Sequence, residues 1–157
     1  MSPSIATADR IDHAALLEFL RTRHQGVLVT TRRDGRPQIS PVTLGLNRDN
    51  RIVISTYPER AKAVNARREP SVSLCVMSEG WSDPYIQVDG TARVIDLPEA
   101  MEGLVEYFRC ISGEHPDWDE YRAAMTRQGK CVIEVDIERW GPLARGGFPA
   151  RLVDSDS

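Results

Sequence analysis

Between Lys130 and Trp140 the chain alternates: Cys131, Ile133, Val135 and Ile137 are apolar, while Glu134, Asp136 and Glu138 between them are acidic. Only an extended backbone puts every second residue on one side, so this run predicts a strand with one face buried and one in water. A half-wet strand belongs to an antiparallel sheet, because parallel sheets are covered on both faces. Five more runs read as strands: Gly26 to Thr31, Pro37 to Leu46, Arg51 to Thr56, Ser71 to Met77 and Tyr85 to Val94. Asp34-Gly35 between the first two is the strongest short hairpin signal in the chain, and Asn47-Arg48-Asp49-Asn50 supplies the next turn.

Helical spacing appears between these runs. Asp12 is placed to cap a helix carrying Ala15, Leu16, Phe19 and Leu20. Pro58 is placed to open a basic helix after the third strand, its fixed φ suiting a first turn. Leu97-Pro98 opens a third with Met101, Leu104, Val105 and Phe108, and a fourth covers roughly Trp118 to Arg127. The reading is a mainly β domain with peripheral helices, a six-stranded antiparallel barrel spanning residues 1–157, with 1–11 and 146–157 as flexible tails. A barrel of about six strands is filled by its own side chains, so a sizeable ligand would sit outside it or between two subunits. That expectation points to a dimer.

A net charge of −3 and a pI near 5.6 argue against general nucleic-acid binding, which needs a broad basic surface. No apolar run approaches the roughly 20 residues of a membrane span, and Met1 to Arg10 has no hydrophobic leader core. Cys75, Cys110 and Cys131 form no C-x-x-C pair, and His13, His24 and His115 lack ligand spacing, so neither disulfides nor a metal site are expected. The chain reads as cytoplasmic. Its basic residues nevertheless cluster between Arg60 and Arg68. A helix N-terminus carries partial positive charge and favours acids, yet Arg60 and Lys62 fall near one. A bound phosphate would turn that conflict into a site, with the Ser55 and Thr56 hydroxyls close by.

The order of these pieces resembles the flavin/deazaflavin split-barrel superfamily, whose best-known class is pyridoxamine 5′-phosphate oxidase. The resemblance runs from Asp12 to Gly141. It is carried by Asp34-Gly35-Arg36-Pro37-Gln38-Ile39-Ser40-Pro41, the Ile54-Ser55-Thr56 strand end, and Arg60-Ala61-Lys62-Ala63-Val64-Asn65. Gly80-Trp81-Ser82 and Gly113 to Arg122 look closer to the actinobacterial branch that uses coenzyme F420.

The resemblance implies a split β-barrel in which Arg60 and Lys62 hold the cofactor phosphate, with Ser55, Thr56 and Asn65 completing the shell. Arg36 to Pro41 would lie along the flavin-like ring, Gln38 and Ser40 meeting its edge. Trp81, Tyr85 and Gln87 would reach the cofactor of a dimer partner, and Arg36, Arg67 or Arg68 would suit the oligoglutamate tail of F420. The stretch from Trp140 to Arg151 departs from the Arg-rich end of the B6 oxidases. The implied function is therefore a homodimeric F420-dependent reductase of an electron-poor unsaturated molecule, with no obligatory catalytic side chain. The alternatives are FMN in the same groove, or a non-catalytic carrier of a flavin or tetrapyrrole.

Overall fold

The computed structural model describes residues 4–153. Along the chain come β1 (Thr7–Asp9), α1 (His13–Arg21), β2 (Gln25–Thr31), β3 (Pro37–Thr43), β4 (Gly45–Leu46), β5 (Ile52–Thr56) and α2 (Ala61–Arg68). They are followed by β6 (Ser71–Met77), β7 (Ile86–Asp96), α3 (Met101–Ser112), α4 (Trp118–Gln128), β8 (Cys131–Trp140), β9 (Leu143–Arg145) and α5 (Ala150–Val153). The outermost parts of the expected tails, 1–3 and 154–157, lie outside the described residues. Within the first of those segments β1 pairs antiparallel with β9, which lies just before the second, and Ile5 bridges to Phe148 between the two.

The main sheet has seven strands, not six, in the order β3-β2-β6-β7-β8-β5-β4, all antiparallel. The extra strand comes from dividing Pro37 to Leu46 at Leu44. Before that residue the chain ladders with β2, and after it with β5. One strand cannot stay paired to both, and the buried Leu44, whose N–H donates to His24 O at 3.0 Å, marks the change of partner. The two edges of the sheet are thus consecutive in sequence. The sheet curls until they nearly meet, which makes a split barrel.

Leu28 of β2, Leu74 of β6, Val88 of β7 and Ile133 of β8 point inward and are buried with Leu16 and Leu20 of α1, so the interior is filled. Asp12 Oδ1 accepts from Ala15 N–H at 2.9 Å and starts α1 where its apolar stripe can enter the core. A second cluster covers the outside of β5 and β8, where Val53 and Val132 pack under Leu104, Val105 and Tyr121. The alternation of β8 is broken at Val132 for that reason: α3 and α4 cover its outer face there.

Tyr121 fastens α4 to α3 by donating its hydroxyl to Leu104 O at 2.8 Å, and burial pushes its pKa up to about 12. A raised phenol pKa means the folded state keeps a proton the unfolded chain loses, so this contribution is present below pH 10 and is lost as pH rises towards 12. Tyr121→Phe should therefore cost about 1 kcal/mol in urea unfolding at neutral pH and less in strong alkali. An identical loss at both pH values would remove Tyr121 as the group responsible.

Candidate functional site

β5 ends at Thr56, the turn closes with Arg60 N–H donating to Tyr57 O at 3.1 Å, and α2 begins at Ala61. The helix start expected at Pro58 is thus three residues later: Pro58 belongs to the turn, and Arg60 is the extended residue just before the helix, with φ −68° and ψ 144°. No side chain caps this end and its first turn holds no acid. Free N–H groups and the positive end of the dipole therefore face the same way as the basic side chains.

In front of that helix start is a cleft of about 290 Å³. Ile54, Ser55 and Thr56 of β5 form one wall and Pro41, Val42 and Thr43 of β3 another. Tyr57, Arg60 and Lys62 enter from the turn and α2, Tyr107 from α3, and Lys130 from the end of α4. None of the lining residues is acidic. Among the described residues Arg60, Lys62 and Lys130 are in no ion pair. Burial, and then the charge of Arg60, hold the Lys62 ammonium below the ordinary lysine range. Hydroxyls, unpaired cations and helix-end N–H groups converging on one space fit a phosphate.

Five of the residues singled out in the sequence, Pro41, Ser55, Thr56, Arg60 and Lys62, line this one cleft. Asn65 and Gln38 do not line it. Asn65 is buried and donates to Thr30 Oγ1 at 3.2 Å, while Thr30 donates to Gln38 Oε1 at 2.8 Å. This relay ties α2 to β2 and β3. Ser40 lies two residues from Gln38 on the same face of β3, and its hydroxyl is buried without a partner. Arg36 is exposed in the hairpin, where its N–H donates to Asp34 Oδ1 at 3.0 Å.

Trp81, 86% exposed, lines a second and larger cleft of about 510 Å³ with Val27, Met77, Ser78 and Glu79. That cleft shares Pro41, Val42 and Thr43 with the first. The two clefts thus adjoin at the end of β3, the one cationic and the other largely apolar. Tyr85 and Gln87 line a separate depression of about 400 Å³ with Asp89, Arg139 and Trp140. There Asp89 accepts from Ser73 Oγ at 2.6 Å, from Gln87 Nε2 at 3.2 Å and from Arg139 Nε at 2.9 Å. These bonds, that from Ser73 foremost, hold its carboxyl below the usual range.

Tyr57, Tyr107 and Lys130 are cleft residues that sequence reasoning missed. Tyr107 donates to Thr43 O at 3.2 Å, across the seam between the two edges of the sheet, and burial raises its pKa. Tyr57 stands between Thr56 and Pro58, and its position beside the Ser-Thr strand end was the available signal. Lys130 and Tyr107 lie far along the chain and no local pattern points to them. Among the described residues no group of His, Cys, Asp and Glu could hold a metal ion, and no helix is long and apolar enough to cross a membrane.

Known proteins share this architecture. A Mycobacterium tuberculosis protein, F420H(2)-dependent biliverdin reductase, is 30% identical over 139 residues, covering 86% of this chain and 90% of that protein. The crystal structure of a conserved hypothetical protein from the same organism superposes with a TM-score of 0.69 at 22% identity, over 85% of this chain and 88% of that one. A structure described as an F420 reductase superposes with a TM-score of 0.59 at 18% identity, over 78% and 93%. At those identities the two structures establish the fold alone. The family described as pyridoxamine 5′-phosphate oxidase matches residues 13–144, which span the seven-stranded sheet and every cleft residue. The chain belongs to the pyridoxamine 5′-phosphate oxidase family.

Proposed function

We propose that this protein is an F420-dependent reductase of a small, electron-poor unsaturated molecule. The observation that carries the reading is the pair of clefts adjoining at Pro41–Thr43, with three unpaired cations in one and an apolar wall in the other. That division suits a ligand with a phosphate at one end and a flat ring at the other. The name of the 30% identical relative supports F420 as the ligand.

Bound F420 supplies the hydride, and the chain supplies position and shelter. Arg60 and Lys62 neutralise the phosphate, with the Ser55 and Thr56 hydroxyls as neutral donors. Pro41 to Thr43 orient the ring, and Trp81 covers the apolar end and excludes water. No side chain is assigned a proton transfer.

A second copy of the chain would complete the site. The outward face of the sheet carries Pro41, Val27 and Cys75 in one cross-strand row and Ile39 and Val29 in the next, Ile39 being 61% exposed. An apolar outer sheet face is a natural dimer surface, and a partner seated there would bring a second Trp81, Tyr85 and Gln87 towards the clefts.

FMN is the second reading, favoured by the oxidase family itself. The two cofactors share the ring, ribityl and phosphate portions, so the phosphate anchors do not separate them. Fluorescence titration does. Submicromolar F420 binding with much weaker FMN binding is expected, and the reverse order would overturn the proposal in favour of FMN. Reduced F420 should then be consumed with at least one of biliverdin, quinones or unsaturated lactones. Inertness across that panel despite tight binding would favour a carrier.

A further inference from the structure

Lys130 is held against the cleft by the fold around it. It follows Gly129, whose left-handed backbone with φ 64° ends α4, and its N–H donates to Met125 O at 3.3 Å. In the next position Cys131 pairs with Thr56 in the β5–β8 ladder, which sets Lys130 beside Tyr57. Its ammonium lies 4.2 Å from the centre of the Tyr57 ring, and the Arg60 guanidinium carbon lies 5.8 Å from the same centre. One ring thus serves two cations, and Lys62 adds a third. A cation–π contact offsets only part of their mutual repulsion. No carboxylate lines the cleft to offset the remainder.

Three cations around about 290 Å³ exceed what a singly charged group would balance. They also approach from two walls. Arg60 and Lys62 come from the start of α2, whereas Lys130 comes from the junction of α4 and β8. We propose that Lys130 binds a second negative charge at the anionic end of the ligand, distinct from the one held by Arg60 and Lys62. Two sources would present that charge: the second ionisation of a terminal phosphate, or a carboxylate beyond a phosphodiester. The assignment rests on the cleft holding the anionic end of the ligand and adds to that reading the number of charges the cleft accepts.

Two variants of the full-length protein test it: Lys130→Met, which keeps most of the unbranched side chain and removes the charge, and Lys130→Arg, which keeps the charge. Inorganic pyrophosphate should raise the melting temperature of the wild type and of Lys130→Arg, and raise that of Lys130→Met much less. Equal protection of all three, or no protection of the wild type, overturns the proposal. In fluorescence titrations Lys130→Met should weaken by about tenfold, or about 1.4 kcal/mol, the binding of whichever cofactor presents the second charge. A loss for FMN assigns the terminal phosphate, and a loss for F420 assigns the carboxylate. Riboflavin, which has neither group, should bind both variants as it binds the wild type. A riboflavin loss in step with FMN would show that Lys130 acts only by packing on Tyr57, and would overturn the proposal. If neither cofactor binds the wild type while pyrophosphate still distinguishes it from Lys130→Met, the cofactor reading fails and the role of Lys130 stands.

Discussion

Replacing Gly90 by Val should unfold this protein or leave it close to unfolding. A Cβ at Gly90 would lie 2.1 Å from the backbone oxygen of Asp136 and 2.8 Å from Val135 Cγ1. The first of these is a main-chain atom held in the β7–β8 ladder, so it cannot swing aside as a side chain would. The site is also where the ladder changes register: Asp89 pairs with Arg139 and Gly90 with Ile137, leaving Glu138 as the extra residue of a bulge. A bulge bends and twists the sheet locally, and the close approach at Gly90 is part of that bend. The expected loss is on the order of 4 kcal/mol or more, above the usual cost of about 1–3 kcal/mol for overpacking because a main-chain atom cannot yield. Gly141→Ala is the control, because a Cβ there meets nothing within 4 Å, and it should stay within about 0.5 kcal/mol of wild type. Urea unfolding of both variants measures the contrast. A Gly90→Val protein within 1 kcal/mol of wild type would mean that the two strands part far more easily than their packing suggests.

Lys62→Ala should separate binding from stability. Removing one charge-assisted partner of a phosphate costs about 1.5–3 kcal/mol, so cofactor affinity should fall roughly ten- to 150-fold. The ligand-free protein should lose nothing and gain slightly. Lys62 sits in the first turn of α2, where a cation opposes the helix dipole, and both burial and Arg60 disfavour its charge. That combination, a weaker complex on a protein of equal or higher melting temperature, is the signature of a residue kept for its ligand. Unchanged affinity would place the phosphate elsewhere, and a large fall in the melting temperature of the free protein would make Lys62 structural.

Much of this molecule was legible because its signals are short-range. The alternation of β8, the Asp34-Gly35 hairpin and the amphipathic stripes of α1 and α3 depend on residues a few positions apart, and each element formed where that spacing put it. Three local readings shifted by a few residues. The helix expected from Leu97-Pro98 begins at Met101, because 97–100 form a turn in which Ala100 N–H donates to Asp96 O at 2.9 Å. Pro58 is as compatible with a turn as with a first helical turn, and the bond from Arg60 N–H to Tyr57 O chose the turn. Pro37 to Leu46 reads as one strand because each half is strand-like, and nothing nearby says that the partner changes at Leu44. Among the residues proposed for the ligand, Ser55, Thr56, Arg60 and Lys62 lie within eight positions of one another, which is why they could be seen together.

Between α1 and β8 the sequence by itself determined the kinds of elements, their order, and a basic helix start after a hydroxyl-bearing strand end, since propensity and periodicity act over one or two turns of chain. Only the tertiary structure decided that the sheet has seven strands and curls until its own edges nearly meet, because pairing is settled between strands distant in sequence. It alone set Lys130 beside Tyr57, Tyr107 across the seam at Thr43, and the cationic and apolar clefts on either side of Pro41–Thr43. It also turned Asn65 and Gln38 into a relay through Thr30 and away from the cleft. The direction in which a side chain points depends on which strand arrives beside it, and that is a property of the curled sheet.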